Sequence, residues 1–196
     1  MTLLERLRAE TRPQHEQTEQ LFYTEALQNG TLSVDEYSHL LRTHLTYHQA
    51  LEEAIGHYPD FFRDYALETR RKTPWLLADL THLNVVPPPL RSDLFTGWSP
   101  VALLGAAYVG EGSMLGGTVI WKLLQKNEAI RPLLAHAQFY QGYGPSTGSY
   151  WRNFGAFLTQ QGAQQPDNVV VAARQAFVEY QTVFQQVAIK SPAETL

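Results

Sequence analysis

The chain has 196 residues, 44% hydrophobic and 12% aromatic, the make-up of one globular domain that can bury about 70% of its unfolded surface without a metal or disulfide staple. A net charge of −4 at pH 7 argues against a general nucleic-acid binder, which carries a basic face. The absence of cysteine excludes disulfides, thiolate chemistry, iron–sulfur clusters and cysteine-ligated zinc or haem.

The N-terminal stretch MTLLERLRAE is charged and amphipathic and has no apolar signal core, so a cytoplasmic protein is expected. A helical segment runs from about Leu3 to Ala26, with Pro13 either starting a second helix or kinking one, and Asn29-Gly30 stops it. From Val34 the apolar positions Tyr37, Leu40, Leu41, Leu45, Leu51 and Ile55 step by helical intervals, with His44 and His48 on the same stripe. Ser33 and Glu36 form a capping box at its start. Further helices are expected over 59–72, 74–83, 99–126 and 146–162. Ala173, Phe177, Tyr180, Phe184 and Val187 mark a last one. Loops are expected at Pro87-Pro88-Pro89, at Gly142 to Pro145 and from Gly162 to Pro166. No convincing alternating strand occurs, so the fold class is an all-α, compact multi-helix domain.

The run from Val101 to Trp121 is apolar except for Glu111 and is long enough to raise the question of a membrane span. A central glutamate, five glycines including Gly105, and the lack of a second such run weigh against one. Within it, YVGEGSMLGG places Gly110, Gly112, Gly116 and Gly117 in ten residues. Each glycine costs about 1 kcal/mol against alanine in a helix interior. Small-residue packing against another helix is the plain explanation, but these four glycines cover more than one helix face. Local unwinding or a kink that lets the backbone approach a flat ligand fits the spacing better.

Several polar residues are candidates for chemistry. His15 and Glu19 share a helix face, and a carboxylate one turn from a ligating histidine can fix its tautomer. An ordinary surface pair has the same spacing. His44, His48 and Glu52 form a row that could bind a metal. Glu36 and His39 make a Glu-x-x-His, which a di-iron bundle needs twice and which occurs once. Core histidines and a polar stripe explain these equally. Arg8, Arg12 and Arg152 are either solvated helix charges or an anion clamp for carboxylates.

Four stretches in this order resemble the haem oxygenase family, in particular its bacterial, bacteriophytochrome-associated branch. LRAETRPQHEQTE resembles the proximal-helix motif, LTYHQALEEAI the next helix, YVGEGSMLGGTVI the distal-helix motif, and GYGPSTGSYWRNF a later motif. The resemblance covers about Leu3 to Phe184 and implies one domain, residues 1–196. It implies haem, both cofactor and substrate, sandwiched between the first helix and a glycine-kinked distal helix. His15 would be the iron ligand and Glu19 its partner. Gly112, Gly116 and Gly117 would pass over the distal face. Arg8, Arg12 and Arg152 would lie near the propionates.

The distal motif lacks the aspartate of better-known members, which leaves Ser113 and His48 as candidates for the proton route. The implied reaction uses O2 and electrons from a ferredoxin or flavoprotein reductase. It yields biliverdin, carbon monoxide and ferrous iron, with a bacteriophytochrome as a possible biliverdin acceptor and no nucleic-acid or membrane partner. Two rival expectations are a haem-binding sensor or carrier of the same fold, and a non-haem di-iron oxygenase using Glu36, His39, His44 and Glu52.

Overall fold

The computed structural model describes residues 1–187, and among them every regular element is helical. In chain order these are α1 (Leu3–Glu10), α2 (Arg12–Leu21), α3 (Thr24–Asn29), α4 (Val34–Gly56), α5 (Leu67–Arg70), α6 (Thr73–His82), α7 (Pro100–Leu124), α8 (Thr147–Gly162) and α9 (Pro166–Gln186).

Local sequence explains most of the boundaries. Thr2 and Glu5 cap α1 reciprocally. Pro13 resolves toward a new start: it sits in the first turn of α2, where a missing N–H costs nothing, and the chain breaks at Thr11. Gly30, at φ +68°, closes α3 in the left-handed conformation that glycine adopts freely. Ser33 and Glu36 form the expected box at the head of α4.

Two stretches depart from expectation. The helix expected over 59–72 reduces to a 3₁₀ turn, Arg63–Tyr65, and the four-residue α5. Ala66 between them is left-handed, at φ +54°, which no continuous helix tolerates. Phe62 and Tyr65 are buried there, so tertiary packing overrides local propensity. The stretch after α7, given no element from sequence, folds as 3₁₀ turns at Arg131–His136, Phe139–Gln141 and Gly144–Ser146. Side chains fasten it: Asp79 accepts from the Gln138 and Phe139 amides at 2.7 and 3.0 Å, and Asn127 donates to the Leu32 carbonyl.

α7 runs through the centre and packs most extensively on α9. At Gly105 the approach is backbone to backbone: a Cβ there would lie 2.5 Å from the Ala173 nitrogen and 2.7 Å from the Val169 oxygen. α8 closes on α1 by side chain against glycine, with Leu4 seated on Gly155 and Leu3 on Gly162. One apolar cluster joins the second half of α4, the first half of α7, α8 and α9 around Tyr47, Leu51, Leu104, Phe154 and Ala173. A second joins α3, the first half of α4, α6 and the 130–140 stretch around Leu41, Leu80, Ile130 and Phe139. Each large side chain so buried contributes about 1.5–3 kcal/mol. Among the described residues no helix is long and apolar enough to cross a membrane.

Candidate functional site

The glycines of α7 divide by what lies beside them. Gly105 and Gly110 face packed atoms; a Cβ on Gly110 would sit 3.2 Å from a Leu51 methyl and 3.3 Å from His48 Cε1. Gly112 and Gly116 face open space, with nothing within 4 Å of an added Cβ. Gly117 belongs to neither group. It is buried, and its Cβ position is in ordinary contact with Tyr140 at 3.9 Å, so it turns away from the side where Gly112 and Gly116 are bare. The expected unwinding is absent. α7 is one continuous α-helix, and none of its glycines takes a positive φ. The glycines act here by removing side chains, because packing on α9 supports the helix against their weak propensity.

Gly112, Leu115, Gly116 and Val119 follow the i, i+3, i+4, i+7 rule and share one stripe. Leu115 and Val119 are 43% and 61% exposed, so the stripe is an uncovered apolar face flanking two bare glycines.

α2 and α7 both lean on α9 yet make few contacts with each other. Tyr108 of α7 lies close to Thr11, the residue that precedes α2, and α3 touches α7. His15 lies one turn beyond Thr11. Gly112 and Gly116 lie one and two turns beyond Tyr108. The His15 side chain is 55% exposed and packs edge-on to Phe177. Its Nδ1 is 3.5 Å from Glu19 Oε2, and among the described residues nothing hydrogen-bonds its Nε2. The carboxylate is thus near Nδ1, at the long limit of a contact, while Nε2 is available to a metal.

The three arginines are not drawn together by protein contacts. Arg12 pairs with Glu16 at 2.7 Å on the outside of α2, Arg8 is exposed on α1 near Tyr108, and Arg152 is exposed on α8 beside the α1 N-terminus.

On the inner side of α7, Ser113 and His48 do meet. Ser113 Oγ donates to the Gly110 carbonyl at 2.7 Å, and its lone pairs face His48 Nε2 at 3.4 Å, long for a hydrogen bond. His48 is wholly buried, and burial holds its pKa well below the usual histidine value, with the charge of Lys72 adding to the effect. The ring is therefore neutral. His44, one turn earlier, is bonded to the Tyr180 hydroxyl through Nδ1 and to the Tyr140 hydroxyl at 2.9 Å through Nε2. Burial brings its pKa down to about 3.

The four residues of the di-iron expectation are dispersed on other work. Glu36 caps α4, His39 bonds Tyr23 and the Phe184 and Val187 carbonyls, His44 serves two tyrosines, and Glu52 accepts from the Lys72 and Thr73 amides. Among the described residues no three histidine or carboxylate side chains gather to hold a metal ion.

One feature lay outside the sequence reading. Glu111, between Gly110 and Gly112, is buried and receives Arg70 at 2.8 Å, Lys72, Tyr65 at 3.0 Å and Tyr143 at 3.1 Å. The available signal was that Glu111 is the sole charge in the apolar run, which forces a buried partner.

Known proteins can be set beside this geometry. The family model described as heme oxygenase matches residues 1–186. The chain is 32% identical over 165 residues to a heme oxygenase of Xanthomonas campestris pv. campestris (strain 8004), covering 81% of this chain and 94% of that one. Among solved structures it is similar to the NO- and CO-bound heme oxygenase from Neisseria meningitidis. The TM-score is 0.75 at 22% identity, over 100% of this chain and 96% of that one. It is also similar to heme oxygenase from Leptospira interrogans, with a TM-score of 0.78 at 18% identity over 95% of this chain and 100% of that one. At those identities the structures speak to the fold alone.

Proposed function

The chain belongs to the haem oxygenase family, and on that premise we propose that it opens haem to biliverdin, carbon monoxide and ferrous iron in the space between α2 and α7. When bound, haem supplies both the iron at which dioxygen reacts and the ring that is opened. The residues fit such a group: a flat, apolar molecule fills the place of the side chains that Gly112 and Gly116 lack, against Leu115 and Val119.

His15 would hold the iron through Nε2, and Glu19, 3.5 Å from Nδ1, would accept the Nδ1 proton on a small side-chain shift, fixing the tautomer and raising ligand basicity. Leu115, Val119 and the helix wall keep bulk water from the distal side. Ser113 and neutral His48 hold the proton-handling position: His48 Nε2–H can donate toward Ser113 Oγ, whose own proton is given to the Gly110 carbonyl. Arg8, Arg12 and Arg152 are basic groups for the propionates, and Arg12 would exchange its Glu16 pair for one of them. Electrons come from a ferredoxin or flavoprotein reductase in the cytoplasm. A bacteriophytochrome is the proposed acceptor of biliverdin, on the likeness of the motifs to that branch.

The observation that carries this reading is an exposed histidine with a carboxylate one turn away on α2, together with two bare glycines beside the uncovered Leu115 and Val119 on α7. The test adds one equivalent of hemin to the protein, then reductant, oxygen and catalase, and follows the visible spectrum. A Soret band that forms and then decays as a biliverdin band grows is expected. His15→Ala should weaken haem binding by about 10–100-fold and lose ring opening. A Soret band that persists through reduction in air makes the chain a haem carrier or sensor and overturns the proposal. No Soret band overturns the whole haem reading.

A further inference from the structure

The residues from Arg70 to Thr73 thread between α4 and α7 and are tied to both. On the α4 side, the Lys72 amide donates to Glu52 Oε1 at 2.6 Å and the Thr73 amide to the same oxygen at 3.2 Å. On the α7 side, the Lys72 ammonium and Arg70 Nη1, the latter at 2.8 Å, both grip Glu111. Tyr65 and Tyr143 donate to the same carboxylate at 3.0 and 3.1 Å. Arg70 also donates to the Tyr65 carbonyl at 2.8 Å, which fixes the thread to itself. Arg70, Lys72, Glu52 and Glu111 are all buried.

Such a cluster is not what stability alone selects. Desolvation costs several kcal/mol per ion, and apolar residues of similar volume often serve as well or better. What ion pairs add is a defined geometry. Here the two helices are held at one particular level: Glu52 is one turn beyond His48 on α4, and Glu111 is two residues before Ser113 on α7. At that same level Gly110 lets α7 come within contact of the His48 ring.

We propose that Lys72 is a positioning residue, a charged clip between Glu52 and Glu111 that sets the spacing of α4 and α7 and thereby holds His48 against Ser113. The inference rests on the reading above that this pair handles the proton in haem opening. A second consequence follows from charge. His48 is ringed by His44, Tyr47, Phe139 and Tyr180, with centroids 5.6–6.4 Å away, and faces Ser113. After burial itself, the Lys72 charge opposes a proton on it. The clip therefore orients the ring and helps keep it in the form whose Nε2 can exchange a proton with its neighbour.

The test uses the full chain with Lys72→Met. In the haem-free protein, the ring Cε1–H signal of His48, assigned with His48→Gln, should move, and its titration midpoint should rise. In the haem complex, the Soret band and haem uptake should match the wild type, while biliverdin formation falls about tenfold or more, the scale of a misplaced proton donor. Lys72→Arg, which keeps the charge, should retain most of both readouts. If Lys72→Met leaves Glu111 too poorly compensated to fold, Lys72→Met with Glu111→Gln removes both charges and carries the same expectations. An unmoved His48 signal overturns the proposal, and so does a moved signal with wild-type turnover. If the wild type never opens haem, the functional reading has failed instead, and the haem-free spectrum still decides whether Lys72 holds His48.

Discussion

α7 contains the same residue used in two opposite ways. In its first half, Gly105 lets the α7 backbone touch the backbone of α9, and Gly110 lets it touch His48. In its second half, Gly112 and Gly116 touch nothing, and their neighbours Leu115 and Val119 are uncovered. Both halves give up about 1 kcal/mol of helix propensity per glycine. The first half recovers it in close packing inside the fold. In the second, Gly117 packs on Tyr140, but Gly112 and Gly116 recover nothing within the described chain, so whatever offsets their cost comes from outside it. Glu111 stands at the boundary and anchors the turn where one use gives way to the other.

The sharpest way to break this comparison is Gly105→Ala. A methyl there collides with backbone of Ala173 and Val169, which cannot rotate away. Overpacking of this kind costs about 3 kcal/mol or more. In a chain of this size that lowers the thermal midpoint of the haem-free protein by about 10 °C. An unchanged midpoint would mean that the α7–α9 approach is not as close as described.

Acid should loosen the closed half. His44 and His48 are buried neutral, with pKa values held below the unfolded value of about 6.5. Their contribution is therefore fully present above that pH and lost as pH falls, because the unfolded chain takes up protons that the folded one refuses. Going from pH 7 to pH 5.5 should cost about 1 kcal/mol per histidine. Glu52 and Asp79, whose pKa values burial raises, act in the opposite sense at lower pH. His39, buried at the α4–α9 contact, is held low in the same way as His44 and His48. Denaturant melts at the two pH values measure the difference, and His44→Gln should remove about a third of it. A flat profile would contradict neutral burial of the pair.

The smallest stability effect is the most telling. Gly112→Ala and Gly116→Ala meet no atom in the haem-free chain, so each should stabilise it by up to about 1 kcal/mol. The same variants should bind hemin about tenfold or more weakly, an added methyl displacing the ligand by more than it can absorb. Stability and binding moving in opposite directions would show that the space belongs to a ligand. Unchanged hemin binding would assign it to something else.

Much of this was open to a reading of residues in order. Helical spacing and caps located α4, α6, α7, α8 and α9, and the Ser33 box and the Asn29-Gly30 stop held as local chemistry should. His15 with Glu19, and Ser113 with His48, were candidates from spacing and resemblance, and the fold brings each pair within 3.5 Å. Less visible was the 59–72 stretch, where composition favours a helix and Ala66 breaks it. The turns after α7 were equally hidden, because they depend on Asp79 and Asn127 reaching across the chain.

Sequence alone determined what depends on neighbours a few residues apart: helix starts and stops, apolar stripes, and the exclusion of cysteine chemistry. These follow from backbone geometry and side-chain period, which are local. Only the tertiary structure decided which glycine packs and which stays bare, why Gly117 turns toward Tyr140, and that Glu111 is held by Arg70 and Lys72. A glycine carries no side chain to announce its surroundings, and a buried charge does not name its partner. Both acquire their meaning from atoms that chain folding brings near, across separations no local pattern encodes.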